Sequence, residues 1–385
     1  MVSSGHDVAD ARLHREVAAA LAAGLSVEVH GLGSAADGPP GAVVHARPRP
    51  RGIPARLLLA LAQPWRARGA VLLTLDPDVV PAAWLAARLR RRRLVVDVHE
   101  DYTALLRDRT WASGPAGRVA AAAVRAVLVA ARRADLVVVA DDHVPPAAGS
   151  LPAQRRLVVR NSPWPGHLPG PADSVAAGAV DAGGGAELRA VYIGDVRTSR
   201  GLRTMLDGVQ AAPGWSLDVV GPVAAADQAH VDHWLATSPA AGRVRFHGRL
   251  PPARAWQVAA GARVGLCMLE DTPAFRDAVP SKLYEYLAAG LAVVSTDLPR
   301  CAAIVADSGG GAVVHDAAGL SATLCRWAEQ PDELERIRRD ALVWARRTFA
   351  GRSPYDELAE QVRLLARGRG GSPATQTATR SEESR

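Results

Sequence analysis

The chain has 385 residues, of which 48% are hydrophobic and 22% charged, so it is ordinary for a globular protein and long enough for two domains. Its three cysteines are odd in number and show no metal-ligand spacing, which implies neither a disulfide framework nor a zinc site and favours a reducing compartment. The net charge of +7 comes with only 4% aromatic residues and no stacking platform, so nucleic acid is not an expected partner.

The N-terminus and the longest apolar stretch indicate a cytoplasmic protein. Residues 1–7 lack the basic and apolar regions of a signal peptide. The stretch from Val119 to Ala131 is interrupted by Arg125 and is too short to span a bilayer. A dense arginine run within 88–93 is best explained as the end of a helix, where it complements the negative end of the dipole. The second interpretation is peripheral, electrostatic contact with anionic lipid at the inner face of the membrane.

Short apolar strands alternate with helical stretches along most of the chain, which predicts parallel sheets covered by helices on both faces. In the first half, the pattern predicts helices over 9–23, 82–92 and 117–133, and strands over 26–30, 71–75, 94–98, 136–140 and 156–160. A segment rich in Pro, Gly and Ala then predicts a linker over 166–186.

The second half repeats this alternation. Strands are predicted over 188–193, 216–220, 244–247, 264–268 and 292–295, and helices over 201–210, 226–236, 252–260, 317–329 and 332–348. From residue 368 to residue 385 the chain is small and polar, which predicts a disordered tail.

A short helix in the second half carries Lys282, the only lysine among 46 basic residues. Ser281 after Pro280 is a suitable N-cap, and Gly290 suits the C-cap. Lys282 and Glu285 are three residues apart and therefore share one face of this helix. A phosphate at its N-terminus would meet the dipole, backbone N–H groups and the lysine. The plain alternative is an exposed Lys–Glu pair that contributes little energy.

A wider pattern surrounds this helix. Asp277 lies eight positions before Glu285, at the end of a polar stretch that follows the buried-strand pattern Val264 to Leu269. The order of strand, polar loop, carboxylate, helix with a second carboxylate, Ala-Gly turn and apolar strand resembles the nucleotide-sugar site of family 4 retaining glycosyltransferases. The resemblance implies the GT-B fold, an α/β architecture in which two Rossmann-like, doubly wound parallel-sheet domains face a central cleft.

The resemblance also divides the chain. It implies an N-terminal, acceptor-side domain over 1–165 and a nucleotide-sugar-binding domain over 187–348. A C-terminal helix over 349–367 is expected to return to the first domain. Members of the family begin with a strand that leads into a loop and helix resembling His6 to Glu16, but here only about five residues precede that loop. We therefore expect a truncated first strand, or a start that lies downstream of the natural one.

Catalytic roles follow from the same resemblance. The family has a glutamate near the donor sugar where Asp277 stands, so the role passes to a shorter acid. Glu285 corresponds to the second glutamate, which binds the ribose. His99 follows the β-branched run that ends at Val98, and the family places a histidine there, near the transferred sugar.

The donor diphosphate is expected to meet basic residues. Lys282 and Arg200 match the family positions, whereas a second basic position is occupied by Asp195, and Arg197 could substitute for it. For Arg197, a solvated position in an ordinary turn is an equal alternative. Backbone contact with the donor is expected at Gly194, Ala278, Val279 and Gly310.

No metal or other cofactor is expected. Asp76-Pro77-Asp78 could be mistaken for a metal-binding acid pair, but it also makes a sensible helix start. His230 and His233 lie one helical turn apart without a third ligand near them in sequence.

The resemblance therefore implies a retaining glycosyltransferase of glycan biosynthesis. It would move a sugar from a nucleoside-diphosphate sugar to a hydroxyl of a glycan, a lipid-linked acceptor or a small molecule. Two alternatives stay open: a nucleotide-sugar epimerase of the same fold, and a non-catalytic nucleotide-sugar-binding partner of another transferase.

Overall fold

Two parallel α/β units follow each other along the chain, as the sequence predicts. The computed structural model describes residues 1–99, 102–107, 114–163 and 188–368. The predicted linker over 166–186 lies outside these ranges, as does the predicted tail after Gly368. One unit has a seven-stranded sheet and the other a six-stranded sheet.

The first unit has helices on both faces of its sheet. Its strands are β1 (Val2–Asp7), β2 (Glu28–Leu32), β3 (Val43–Arg47), β4 (Val71–Thr74), β5 (Arg93–Val98), β6 (Leu136–Val139) and β7 (Arg156–Val158). Its helices are α1 (Ala11–Ala22), α2 (Gly52–Arg66), α3 (Val80–Leu89), α4 (Tyr102–Arg107) and α5 (Pro115–Ala131). The strands lie in the order β3-β2-β1-β4-β5-β6-β7, so the direction of the order reverses between β1 and β4.

The second unit repeats this topology. Its strands are β8 (Arg189–Ile193), β9 (Ser216–Val220), β10 (Val244–Gly248), β11 (Val264–Cys267), β12 (Ala292–Thr296) and β13 (Gly311–Val314). Its helices are α6 (Leu202–Gln210), α7 (Gln228–Thr237), α8 (Pro252–Ala259), α9 (Ser281–Ala288), α10 (Pro299–Ser308), α11 (Ala317–Glu329) and α12 (Pro331–Thr348). The order β10-β9-β8-β11-β12-β13 reverses between β8 and β11. Ligands of such sheets bind at this reversal, beyond the carboxyl ends of the strands.

The first strand is longer than the sequence analysis expected. β1 runs over six residues and pairs with β2 on one side and β4 on the other. Ser3 and Ser4 are buried, and their hydroxyls donate to the carboxylates of Asp76 and Asp78 just after β4. Polar side chains with buried partners therefore replace the apolar run by which a central strand is normally recognised.

The last helix, α13 (Pro354–Arg367), packs against α1 of the first unit. Ser353 and Asp356 form a capping box that begins it after a short turn. Tyr355 is fully buried in the same cluster as Leu13 and Val17 of α1. The end of the chain therefore completes the core of the first unit.

Candidate functional site

The carboxyl ends of the two sheets face each other across a cleft of about 750 Å³. Loops after β1, β4 and β5 line one wall, and loops after β8 and β11 together with the start of α9 line the other. The cleft brings together most of the residues predicted from the sequence: His99, Gly194, Arg197, Arg200, Ala278, Val279, Lys282 and Glu285.

Lys282 presents a buried amine to this cleft. α9 begins at Ser281, and Pro280 rather than the predicted Ser281 is its N-cap, without a capping side chain. The fully buried Leu283 on the opposite face anchors the helix. Only 6% of Lys282 is exposed, and its Nζ has no hydrogen-bond partner among the described residues. Burial and the neighbouring Arg200 guanidinium lower the pKa of Lys282 to about 7.

Two neighbours shape the space around this amine. Nζ lies 3.5 Å from the centre of the Tyr192 ring, a cation–π contact that supports the charge without neutralising it. Gly194 has φ +141, and a Cβ there would lie 2.8 Å from Nζ. Glycine at this turn after β8 therefore leaves backbone and amine open to a ligand.

The predicted arginines differ in how fully they are already paired. Arg200 stacks its guanidinium 5.8 Å from the Phe275 ring, and its buried Nε has no partner in the described part of the chain. Arg197 lies 3.3 Å from the Asp195 carboxylate, which also accepts from Arg249 at 3.2 Å. Arg200 is thus available to an anion, whereas Arg197 already has a counter-charge.

Glu285 makes an ion pair across the cleft that the sequence analysis missed. Its Oε1 accepts a hydrogen bond from Arg15 of α1, and both residues are buried. The Arg15 guanidinium also lies 5.5 Å from the centre of the Tyr355 ring on α13. The sequence shows Arg12 and Arg15 on the helix predicted after the first strand, but no local pattern links these arginines to Glu285.

A second missed pair lies beside His99. The His99 ring packs edge-on at 4.8 Å against His6, whose Nδ1 lies 3.0 Å from Oδ1 of Asp76. Burial would raise the pKa of Asp76, but hydrogen bonds from His6, Ser3 and the Gly5 N–H hold it well below its ordinary range. The ionised Asp76 therefore orients the His6 imidazole at the rim of the cleft.

Two predicted residues are not brought to the cleft. Asp277 is exposed on the turn before α9 and is not among the cleft-lining residues; its backbone carbonyl accepts from Arg300 at 2.6 Å. Gly310 lies in the core instead, where a Cβ would come within 2.6 Å of Leu287 and 2.7 Å of the Ala341 Cβ. The geometry gives Gly310 a packing role rather than a donor contact.

Comparison with known proteins gives a match to the second unit and to the whole fold. Residues 197–363 match a protein-family model described as glycosyl transferase-like. The comparison with curated proteins gives no match. Sucrose-phosphate synthase from Thermosynechococcus elongatus superposes with a TM-score of 0.63 at 16% identity, covering 93% of this chain and 91% of that one.

Two further solved structures are similar over nearly their whole length. HepE from Anabaena in complex with UDP gives a TM-score of 0.62 at 13% identity, covering 95% of this chain and 98% of that one. WaaG, a glycosyltransferase involved in lipopolysaccharide biosynthesis, gives 0.59 at 15% identity, covering 93% and 95%. The chain has the GT-B fold. The GT-B architecture expected from the sequence is thereby confirmed, and the cleft described above lies between its two domains.

No helix in the described parts of this GT-B chain combines the length and the hydropathy that crossing a membrane requires.

Proposed function

We propose that the chain is a retaining glycosyltransferase that binds a nucleoside-diphosphate sugar in the cleft and transfers the sugar to an acceptor hydroxyl. The observation that carries the proposal is the buried Lys282 amine, which has no hydrogen-bond partner among the described residues and lies near a second cation, Arg200. The match of residues 197–363 to a glycosyl transferase-like family supports it.

The energetics of this pair favour a diphosphate. A buried cation without a partner costs about several kcal/mol, and a second cation beside it adds repulsion. An anion bound between Lys282 and Arg200 offsets both the cost of burying the charge and the repulsion between the two cations, and it gains charge-assisted hydrogen bonds. The N-terminus of α9, whose N-cap Pro280 offers no capping side chain, would add its backbone N–H groups and dipole.

The ribose would then lie along α9 toward Glu285. A carboxylate accepts hydrogen bonds from two adjacent hydroxyls, so Glu285 suits the 2′- and 3′-hydroxyls of a ribose. Arg15 donates a hydrogen bond to Oε1 of this carboxylate. We propose that the ribose shares Glu285 with Arg15, whose hydrogen bond orients the carboxylate.

The chemistry needs no strong enzymatic nucleophile in this arrangement. The bond between the anomeric carbon and the diphosphate oxygen breaks, the acceptor oxygen bonds to the same face, and the hydroxyl proton passes to the departing phosphate oxygen. Lys282 and Arg200 would stabilise the charge that develops on the leaving diphosphate. His99 and the Asp76-oriented His6 would lie on the acceptor side, where they position the sugar and the incoming hydroxyl.

Binding and turnover over a nucleotide panel test this function. We expect one of UDP, GDP or ADP to bind by calorimetry, and its sugar conjugate to be hydrolysed slowly without acceptor. If Glu285 binds ribose, the 2′-deoxy nucleotide binds about tenfold more weakly than the ribonucleotide in the wild type and equally in Glu285→Ala. Failure of every nucleotide to bind contradicts the proposal, and binding without any turnover of a sugar conjugate favours a non-catalytic binding partner.

We also propose that the acceptor domain docks on an anionic membrane, which favours a lipid-linked acceptor. Ile53, Leu57 and Leu61 form an exposed stripe along α2, and Leu58 beside them is 68% exposed. Arg56 of the same helix lines the cleft, so the stripe begins at the acceptor-side rim. The ends of α2, the helix α3 packed against it and the turn after α3 carry further exposed apolar and basic residues: Leu85, Leu89, Arg51, Arg66, Arg88 and Arg91. Exposed apolar side chains together with arginines are typical of an interfacial lipid contact.

A further inference from the structure

A second cluster of ligand-type side chains lies on the sheet of the first domain, outside the cleft. Glu28 and His30 are on β2, and His45 is paired directly with His30 on the neighbouring edge strand β3. Residues two apart on a strand point to the same face, so the three side chains converge. None of the three is among the residues that line the cleft.

The distances within this cluster suit a metal ion. Oε1 of Glu28 lies 3.2 Å from Nε2 of His30 and 3.0 Å from Nε2 of His45. An ion with tetrahedral ligand bonds of about 2.0 to 2.1 Å holds neighbouring ligand atoms about 3.3 Å apart. Two imidazoles with one carboxylate form a donor set that zinc and similar divalent transition metals prefer.

Two observations distinguish this cluster from an ordinary contact between a glutamate and histidines. His30 is only 6% exposed, and its Nε2, although close to Glu28, makes no hydrogen bond with any described residue. The other carboxylate oxygen of Glu28 accepts from the Arg68 backbone N–H at 2.9 Å, which fixes the orientation of the carboxylate. Metal ligands are commonly oriented in this way by a hydrogen bond to the atom that does not bind the ion.

We propose that Glu28, His30 and His45 bind one zinc ion or a similar divalent transition-metal ion. The ion ties the edge strand β3 to β2 and leaves one coordination position on the solvent side, next to the half-exposed His45. Its contribution is to the stability of the acceptor domain, because the donor-binding residues lie elsewhere.

Zinc and cobalt binding to the full chain test the site. After dialysis against a chelator and then against zinc, we expect one zinc ion per chain by elemental analysis and a rise in Tm. Replacement with Co²⁺ should give the visible absorption bands of a tetrahedral ion. His45→Gln changes a half-exposed side chain, so the fold is preserved, and we expect it to weaken zinc binding at least tenfold and to abolish the Tm rise.

The control is His233→Gln, because His230 and His233 form an imidazole pair on α7 without a third ligand in the described residues. This variant should bind zinc as the wild type does. Glu28→Gln provides a second, independent loss of a ligand. Equal zinc retention by wild type and His45→Gln, or loss of zinc in His233→Gln alone, overturns the proposal, as does a wild type that retains none.

Discussion

The buried Lys282 amine destabilises the fold of the free protein more than it destabilises a complex with an anion. Replacing it with methionine keeps the length of the side chain but removes a buried, unpaired charge. We expect Lys282→Met to raise Tm by about 2–4 °C and to weaken binding of the nucleoside diphosphate about 100-fold, because the anion loses its partner. Thermal unfolding and calorimetry measure the two effects. The control is Arg254→Met, which removes an exposed cation on α8 that does not line the cleft. A lower Tm for Lys282→Met than for the wild type would contradict this account.

The pH dependence of binding follows from the same amine. In the free protein the pKa of Lys282 is about 7, and a bound diphosphate raises it toward the ordinary lysine value of 10.5. Above pH 7 the free amine is neutral and binding must take up a proton, so Kd rises by up to about tenfold per pH unit. Between pH 7 and 9 this rise should be present in the wild type and absent in Lys282→Met.

Residues of the cleft could be predicted where the chain places them close together in sequence. Lys282 and Glu285 share one helix, so their spacing fixes their common face. His6 and Arg15 could not be assigned, because their partners Asp76 and Glu285 are 70 and 270 positions away in sequence. Asp277 is exposed on the turn before α9 and lies outside the cleft lining, because sequence spacing does not specify the direction of a turn.

At the scale of elements, α1 and β5 are joined by a buried charge cluster. Arg12 makes two hydrogen bonds to Asp97, at 2.6 and 2.9 Å, and Glu16 lies 3.2 Å from Arg12 with both oxygens lacking a hydrogen bond among described residues. Burial and the Asp97 carboxylate raise the pKa of Glu16 well above 4.5. The raised pKa favours the protonated form of Glu16 beside the Asp97–Arg12 ion pair, at the contact between the helix and the sheet.

Glu16→Gln should consequently be more stable than the wild type, by a margin that grows as the pH rises. Folded Glu16 keeps a proton that the unfolded chain releases above about pH 4.5, so the wild type loses stability between pH 5 and 8. Glutamine has the shape of the protonated acid and no such dependence, and the difference in Tm between variant and wild type should grow over this range. Parallel curves of Tm against pH would mean that Glu16 is ionised.

As a comparison, Asp97→Asn should lower the free energy of unfolding by about 3 kcal/mol at pH 7, because it leaves Arg12 buried without its counter-charge.

Elements with β-branched or amphipathic patterns could be predicted to within a few residues. β5 and β12 are buried runs, and α12 has a clear apolar stripe. β1 lacks such a pattern, because buried serines with carboxylate partners replace its apolar residues. α2 escaped prediction for a different reason: its leucines face solvent, so its apolar residues do not mark one core-facing stripe.

At the scale of the whole molecule, the two domains are connected by charged pairs across the cleft. Arg15 binds Glu285, Arg300 donates to Asp141 at 2.5 Å, and Arg249 lies 3.7 Å from Asp7. The alternation of strands and helices predicts both domains, since each is specified by its own sequence pattern. The pairs between them depend on how the domains meet, which is not encoded in any local stretch of sequence.

The exposed stripe on α2 makes a prediction about the molecule as a whole. We expect the protein to sediment with vesicles that contain anionic phospholipid, more weakly with neutral vesicles, and less at high salt, because arginines supply the attraction and leucines the insertion. Leu58→Glu should reduce this binding about tenfold or more, since it places a negative charge and removes an exposed apolar side chain directly beside the stripe.

The matched control is Val343→Glu, which makes a comparable change at a 65% exposed position on α12 of the second domain. It should leave vesicle binding unchanged, whereas both variants should keep the wild-type Tm and nucleotide affinity. Equal binding by Leu58→Glu and wild type would remove α2 from the membrane contact. Vesicle binding lost equally in both variants would point to bulk charge rather than a docking surface. Only a loss confined to Leu58→Glu connects the acceptor-side rim of the cleft to a lipid surface.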